Sequence, residues 1–84
     1  MELRVLGNLT EEGLEVVERQ GRFFVRYDAG SHQTAWREDQ ISNDELVLLK
    51  QGGAAEATAI IGLQRRIRVA GEDPNIQNWS PPDA

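Results

Sequence analysis

The chain has 84 residues, no cysteine and one histidine, and its fourteen acidic and nine basic residues give a formal net charge of −5. A chain this short forms a single core, the missing cysteines exclude disulfides and thiolate metal sites, and negative charge disfavours binding to phosphate backbones. We therefore expect one small acidic α+β domain over residues 1–70, followed by a polar tail over residues 71–84 that contains all three prolines.

The first half of the chain is typical of an antiparallel β-meander of three to four strands over about residues 2–38. Apolar residues alternate there with polar ones, as in half-buried strands, and short turn-forming segments separate the alternating runs. The predicted strands begin near Leu3 and then cover residues 14–19, 22–28 and 32–38, with turns at residues 10–13, 20–21 and 28–31.

Gln20–Gly21 is the clearest predicted connection, because a two-residue loop with glycine second suits a tight hairpin. The strand that follows has two alternating faces. Phe24 belongs to the face opposite the core, so we expect it to point outward unless a bulge intervenes. The predicted core face carries Phe23, Val25 and Tyr27.

The second half predicts two helices packed on one face of the sheet. Ser42 and Glu45 have the spacing of a capping box, so the first helix begins near residue 43. It is expected to end at residue 51, where Gly52–Gly53 supply a left-handed cap. The second helix is predicted over residues 54–70, with a buried stripe of residues at helical spacing, namely Ala57, Ile60, Leu63 and Ile67.

Residues for catalysis are scarce. His32 is the only histidine and lies beside a predicted turn, so we expect an exposed hydrogen-bonding residue. The carboxylates occur mostly as sequence neighbours, whose side chains point in different directions and rarely share one site. No glycine-rich phosphate loop is present. We therefore expect no enzyme activity, no metal and no cofactor.

The best candidate for a partner surface is the aromatic and charged segment of the last two predicted strands. Tryptophan, tyrosine and arginine are enriched at the energetic centres of interfaces. For the Trp36 indole, packing in the core is the competing interpretation. The predicted partner-binding residues are Phe24, Tyr27, Asp28, Trp36, Arg37, Glu38 and Asp39.

Three functions are compatible with these features. The leading hypothesis is a small acidic module that binds another protein, itself basic, as a stoichiometric inhibitor or an immunity or antitoxin-type protein. A structural or assembly subunit of phage or plasmid type, which self-associates as a homodimer or larger assembly through a sheet edge or the second helix, is the first alternative. The second alternative is a regulator that contacts nucleic acid through Arg65, Arg66 and Arg68, although the same arginines suit a helix C-terminus.

No run of residues approaches the ~20 apolar positions of a membrane span, and the first residues lack the apolar run of a signal peptide. We therefore expect a cytoplasmic protein that contacts no membrane.

Overall fold

A computed structural model describes residues 1–82 and confirms the predicted fold class: a four-stranded antiparallel sheet precedes two helices. Residues 83 and 84, which end the predicted tail, lie outside the described residues. In chain order, the elements are β1 (Glu2–Asn8), α1 (Leu9–Glu12), β2 (Leu14–Arg19), β3 (Arg22–Asp28), β4 (Trp36–Ile41), α2 (Asn43–Gln51) and α3 (Gly53–Val69).

The described residues divide into two compact units. The sheet unit comprises Met1–Gln40 together with the chain from Asn75 onward, and the helix unit comprises Ile41–Pro74. The chain thus leaves the sheet unit at the end of β4 and returns to it after α3. The domain boundary expected near residue 70 stays a prediction.

The strands follow one another in the sheet in the order β1-β2-β3-β4. Gln20 and Gly21 connect β2 to β3 with positive φ angles of 54° and 77°, as a primed two-residue hairpin turn requires. This turn makes Arg19 and Arg22 opposite partners and fixes the register of both strands. The hairpin predicted from the sequence is therefore confirmed.

The turn predicted at residues 10–13 is present as one helical turn, α1, which connects β1 to β2. The Asn8 side chain accepts from the Glu11 amide at 3.1 Å and so caps α1. Within β1, the register with β2 shifts between Arg4 and Leu6. Val5 is thus the extra residue of a β-bulge.

The fourth strand begins at Trp36, so the predicted start at residue 32 is wrong. The preceding loop is held by Asp28, whose Oδ1 accepts from the Gly30 and Ala35 amides at 2.9 Å each. The Ala29 amide closes the loop by donating to the Ala35 carbonyl at 2.9 Å. The polar residues in between are exposed and form no strand.

The helices begin and end close to the predicted positions. The capping box of α2 is present, since Glu45 N–H donates to Ser42 Oγ and Ser42 N–H donates to the Glu45 carboxylate. Gly52 ends α2 with φ 71° and ψ −173°, a glycine conformation but not the predicted left-handed helical one. The predicted stripe on α3 is correct for Leu63 and Ile67, which are buried, and Ile60 is half-buried.

Ala57 is exposed, and Ala59 is the alanine of α3 that is buried, at 3% exposure. Ala59, Leu63 and Ile67 recur at intervals of four residues, so one continuous row of the helix surface is removed from water. The sequence did not distinguish Ala57 from Ala59, because alanines occur on several sides of α3.

Candidate partner-binding surface

One face of the sheet unit carries an ion cluster centred on Arg26. The Arg26 guanidinium donates to Glu38 Oε2 at 2.8 Å, to Glu15 Oε2 at 2.9 Å and to Glu2 Oε1 at 2.7 Å. Arg19 joins the cluster by donating to Glu38 Oε1 at 2.6 Å and to Glu2 Oε1 at 3.0 Å. Two arginines and three glutamates from all four strands therefore form one network.

The hydrogen bonds of the cluster favour the charged form of four of its members, although burial opposes it. For Arg26 and Glu2, burial disfavours the charged form, yet the bonds within the cluster raise the pKa of Arg26 and lower the pKa of Glu2. Hydrogen bonds from Arg19, and then from Arg26, lower the pKa of Glu38. The bond to Glu38 is likewise the main reason that the pKa of Arg19 is raised.

Aromatic rings cover both arginines. The Arg19 guanidinium carbon lies 4.1 Å from the centroid of the Phe24 ring, and that of Arg26 lies 4.6 Å from the Trp79 ring. Both distances are within the range of cation–π contacts. Phe24 is therefore on the face opposite Val25 and Tyr27, as predicted, but Arg19 covers it. Trp79 thus folds back onto the sheet.

A second buried arginine lies on the opposite face of β4. Arg37 is 2% exposed, and its Nε and Nη2 donate to the two Asp39 carboxylate oxygens at 2.9 Å each. Tyr27 Oη donates to Asp39 Oδ2 at 3.0 Å, and Arg37 Nη1 donates to the Ile76 carbonyl at 2.6 Å. The bond to Asp39 raises the pKa of Arg37 despite its burial. Arg37 thus anchors the tail.

The tail segment 75–79, which we name the strap, covers the outer edge of β4. Trp36 N–H donates to Gln77 Oε1 at 3.3 Å, and Asn78 N–H donates to the Trp36 carbonyl at 3.2 Å. The Asn78 side chain accepts from Glu38 N–H at 2.8 Å and donates to the Glu38 carbonyl at 3.2 Å. The side-chain amides of Gln77 and Asn78 and the Asn78 backbone N–H therefore satisfy backbone groups that a further strand would otherwise pair.

The seven predicted partner-binding residues are mostly engaged in contacts within the sheet unit. The structure brings together Tyr27, Arg37 and Asp39 on one face and separates them from Phe24 and Glu38 on the other. Of the seven, Tyr27 and Arg37 are buried, Phe24, Trp36, Glu38 and Asp39 are half-buried, and Asp28 is exposed. Partner binding by these residues stays a prediction. Asp28 is the most accessible of the seven.

Exposed carboxylates lie at one end of the sheet unit. The register brings α1 close to the C-terminal end of β3, because Leu14 pairs with both Asn8 and Tyr27. Glu11, Glu12 and Asp28 are exposed at this end. No ion pair links Glu11 or Glu12 to any residue in the described chain. We name these three residues the acidic end.

A shallow groove of about 410 Å³ lies at the same end of the sheet. The loop that connects β3 to β4 forms one wall, and the start of the strap forms the other. His32 is exposed in this loop, as predicted, and Ile76 is 61% exposed beside it. Neutral and apolar surface therefore adjoins the exposed carboxylates.

The ion cluster was missed in the sequence, although part of it carries a signal. The predicted hairpin turn makes Arg19 and Arg22 opposite partners, and counting back along both strands places Glu15 opposite Arg26. An opposite-charge cross-strand pair was therefore predictable. No comparable signal marks Asn78, which contacts a strand forty positions away.

The arginines near the end of α3 have different environments. Arg66 Nη2 donates to Glu45 Oε1 at 2.8 Å, so this arginine is paired within the helix unit. Arg65 and Arg68 are exposed. That they contact nucleic acid stays a prediction.

Comparison with protein-family models, with curated proteins and with solved structures finds no match for this chain. Within residues 1–82, no helix has both the length and the apolar character needed to cross a membrane.

Proposed function

We propose that the protein acts by stoichiometric binding, and not as an enzyme, and that it neutralises or modulates a basic partner protein in the manner of an inhibitor or antitoxin. The observation that carries this proposal is the distribution of charge at the acidic end. Glu11 and Glu12 face water there without an ion pair in the described chain, whereas Arg26 and Arg37 of the sheet unit are buried in ion pairs.

Because these arginines are already paired, they neutralise other carboxylates and leave the field of the acidic end largely uncompensated. Such a field steers a basic partner towards the surface and favours the correct orientation. Asp28 adds a carboxylate whose Oδ1 holds the adjacent loop. The groove beside it, with exposed His32 and Ile76, offers contacts that do not depend on charge.

The sheet unit also suits a binding role because it is held in one arrangement. In the described residues, every buried side-chain nitrogen or oxygen has a hydrogen-bond partner. Buried polar networks of this kind are tolerated only when they are satisfied, and they specify one geometry. A surface that is already ordered loses little conformational entropy on binding.

The test compares two charge reversals of equal size at opposite ends of the sheet unit. The immobilised protein is used to capture a basic protein from a native lysate, and the purified pair is measured by titration calorimetry at low and at high salt. Glu12→Lys should weaken binding about 3- to 10-fold at low salt, because it replaces attraction by repulsion at the contact.

Glu18→Lys is the matched control, since Glu18 lies opposite Phe23 near the hairpin end of the sheet and has no ion pair in the described chain. The two reversals are compared at about 0.1 M salt, where the Debye length is about 10 Å. The effect of Glu18→Lys should stay below about twofold there, because Glu18 lies four residues along β2 from Leu14, about 13 Å at the rise of a strand. Equal weakening by the two reversals, or binding that does not respond to salt, would refute an acidic contact surface at this end.

A further inference from the structure

The two edges of the sheet differ in whether they are covered. The strap satisfies the outer edge of β4, but no other strand or tail segment in the described chain pairs with the outer edge of β1. An uncovered edge presents unpaired N–H and C=O groups that can pair with another strand. We propose that β1 is a homodimerisation edge, on which β1 of a second copy pairs antiparallel about Leu3.

The register shows which backbone groups are free. In a two-residue hairpin, the residues flanking the turn exchange both hydrogen bonds, so the backbone groups of Arg19 point towards β3. The direction of the backbone N–H and C=O groups alternates along a strand, so the groups of Glu18 point towards β1. Glu18 lies opposite Leu3, so Leu3 bonds to β2. The backbone groups of Glu2 and Arg4 consequently point outward.

These two residues make the edge complementary to itself. A two-fold axis through Leu3 places Glu2 opposite Arg4 of the second copy, and Arg4 opposite its Glu2. Both are hydrogen-bonded pairs, so the backbones exchange four hydrogen bonds. Arg4 is exposed and has no side-chain partner in residues 1–82. Glu2 uses Oε1 for its bonds to both arginines of the cluster, which leaves Oε2 for Arg4.

Leu3 supplies the apolar contact of the same pairing. Its side chain is 55% exposed, and on the two-fold axis it meets Leu3 of the second copy. The bulge at Val5 interrupts the regular edge, so the paired segment covers only the first residues of β1. Because the strap covers the other edge of each sheet, this isologous pairing closes at two copies and does not propagate into a fibre.

The dimer is independent of the proposed function. Glu2, Leu3 and Arg4 lie near the hairpin end of the sheet, whereas Glu11 and Glu12 follow β1 at its other end. A second copy and a basic partner can therefore bind one chain at the same time.

Disulfide trapping tests the register directly, because the chain has no native cysteine. A non-hydrogen-bonded antiparallel pair has Cα atoms about 4.5 Å apart, within the range that a disulfide spans. Leu3→Cys should therefore form a covalent dimer under mild oxidation. Ile61→Cys is the matched control, since Ile61 is 58% exposed on α3 and Leu3 is 55% exposed. Leu3→Cys should crosslink at least about tenfold faster.

Charge reversal tests the same pairing without a covalent bond. Sedimentation equilibrium of the wild-type chain should show a concentration-dependent dimer. Arg4→Glu places like charges opposite each other twice per dimer and should raise its Kd about tenfold. Arg22→Glu makes the same charge change at an exposed position of the hairpin, away from the edge, and should leave the Kd nearly unchanged.

All four positions are exposed, and circular dichroism of each variant verifies the fold. A wild-type chain that stays monomeric at every concentration would overturn the proposal, as would equal crosslinking of the two cysteine variants. Equal weakening of the dimer by Arg4→Glu and Arg22→Glu would also overturn it. Each of these results leaves the acidic end untouched as a binding surface, because that surface is tested by Glu12→Lys.

Discussion

The outer edges of β4 and β1 differ in whether their backbone donors and acceptors are covered. Every sheet edge exposes backbone donors and acceptors, and proteins cover, twist or interrupt such edges. At β4, the backbone groups of Trp36 and Glu38 are bonded by the strap. At β1, the bulge at Val5 interrupts the second half of the strand, and within residues 1–82 no strand or tail segment pairs with the half that contains Leu3.

The difference shows how little chain is needed to cover an edge. Only alternate residues point their backbone groups outward, so the side-chain amides of Gln77 and Asn78, together with the Asn78 backbone N–H, suffice for the outward groups of Trp36 and Glu38. An arginine on each face of the sheet holds the strap in place. Arg37 binds the Ile76 carbonyl on one face, and Arg26 lies against the Trp79 ring on the other.

The largest effect on the covered edge is expected from Arg37→Ala. This change leaves the half-buried Asp39 carboxylate without its guanidinium and releases the Ile76 carbonyl, which loosens the strap. Breaking a buried ion pair costs about 3–5 kcal/mol, and we expect a loss of that size in the free energy of unfolding, measured with urea.

Arg22→Ala removes an exposed arginine and is the control, with an expected change within about 0.5 kcal/mol. If Arg37→Ala costs no more than this control, Arg37 is not an anchor of the strap.

A smaller effect is expected from Asn78→Ala, which uncovers Glu38 N–H and its carbonyl and so makes β4 more like β1. Leaving such partly buried groups without partners costs about 1–3 kcal/mol. Hydrogen exchange of the Glu38 amide should also accelerate relative to the wild-type chain. Both readouts therefore report whether the edge has opened.

Ser80→Ala is the matched control within the tail, because Ser80 Oγ bonds only to Gln77 in the described chain. It should leave the exchange of the Glu38 amide unchanged. If that amide exchanges at the wild-type rate in Asn78→Ala, groups other than Asn78 cover the edge.

Local signals in the sequence were sufficient for most of the fold. The hairpin at Gln20–Gly21 and the capping box at Ser42 depend on residues that are neighbours along the chain, and both are present. The start of β4 was placed too early because His32 to Trp36 continues the pattern of the strand that follows. Asp28 holds this segment in a loop instead, because its Oδ1 accepts from the Ala35 amide seven residues along the chain.

The candidate surface was less predictable for the same reason. Aromatic and charged residue types suggested a partner surface on β3 and β4, but these residues find partners inside the sheet unit. Arg37 and Asp39 are two positions apart and pair with each other, while the strap that adjoins them comes from the other end of the sequence. Residue type indicates what a side chain can bind, and only the tertiary contacts show whether it is already bound.

The smallest effect concerns acid, which weakens the ion cluster beneath Trp79. The pKa of Glu38 is lower in the folded chain than its usual value of about 4.3 when unfolded. The ionised Glu38 carboxylate therefore stabilises the fold fully above its unfolded pKa of about 4.3. This stabilisation is lost as the pH falls through the lower pKa of Glu38 in the folded chain. At about pH 4 the loss from Glu38 alone stays below about 1 kcal/mol, because the unfolded chain takes up less than one proton there.

Urea unfolding at neutral pH and at about pH 4 measures this loss, with Glu38→Gln as the matched variant. Glutamine has no carboxylate to protonate, so the variant is less stable at neutral pH and its stability falls less on acidification. The wild-type chain and the variant are compared by the free energy of unfolding that each loses on acidification. The difference between the two losses gives the contribution of Glu38, since every other carboxylate is present in both chains. An equal fall in both would mean that Glu38 binds protons equally well in the folded and unfolded chain, in which case its bonds to Arg19 and Arg26 would not stabilise the ionised form.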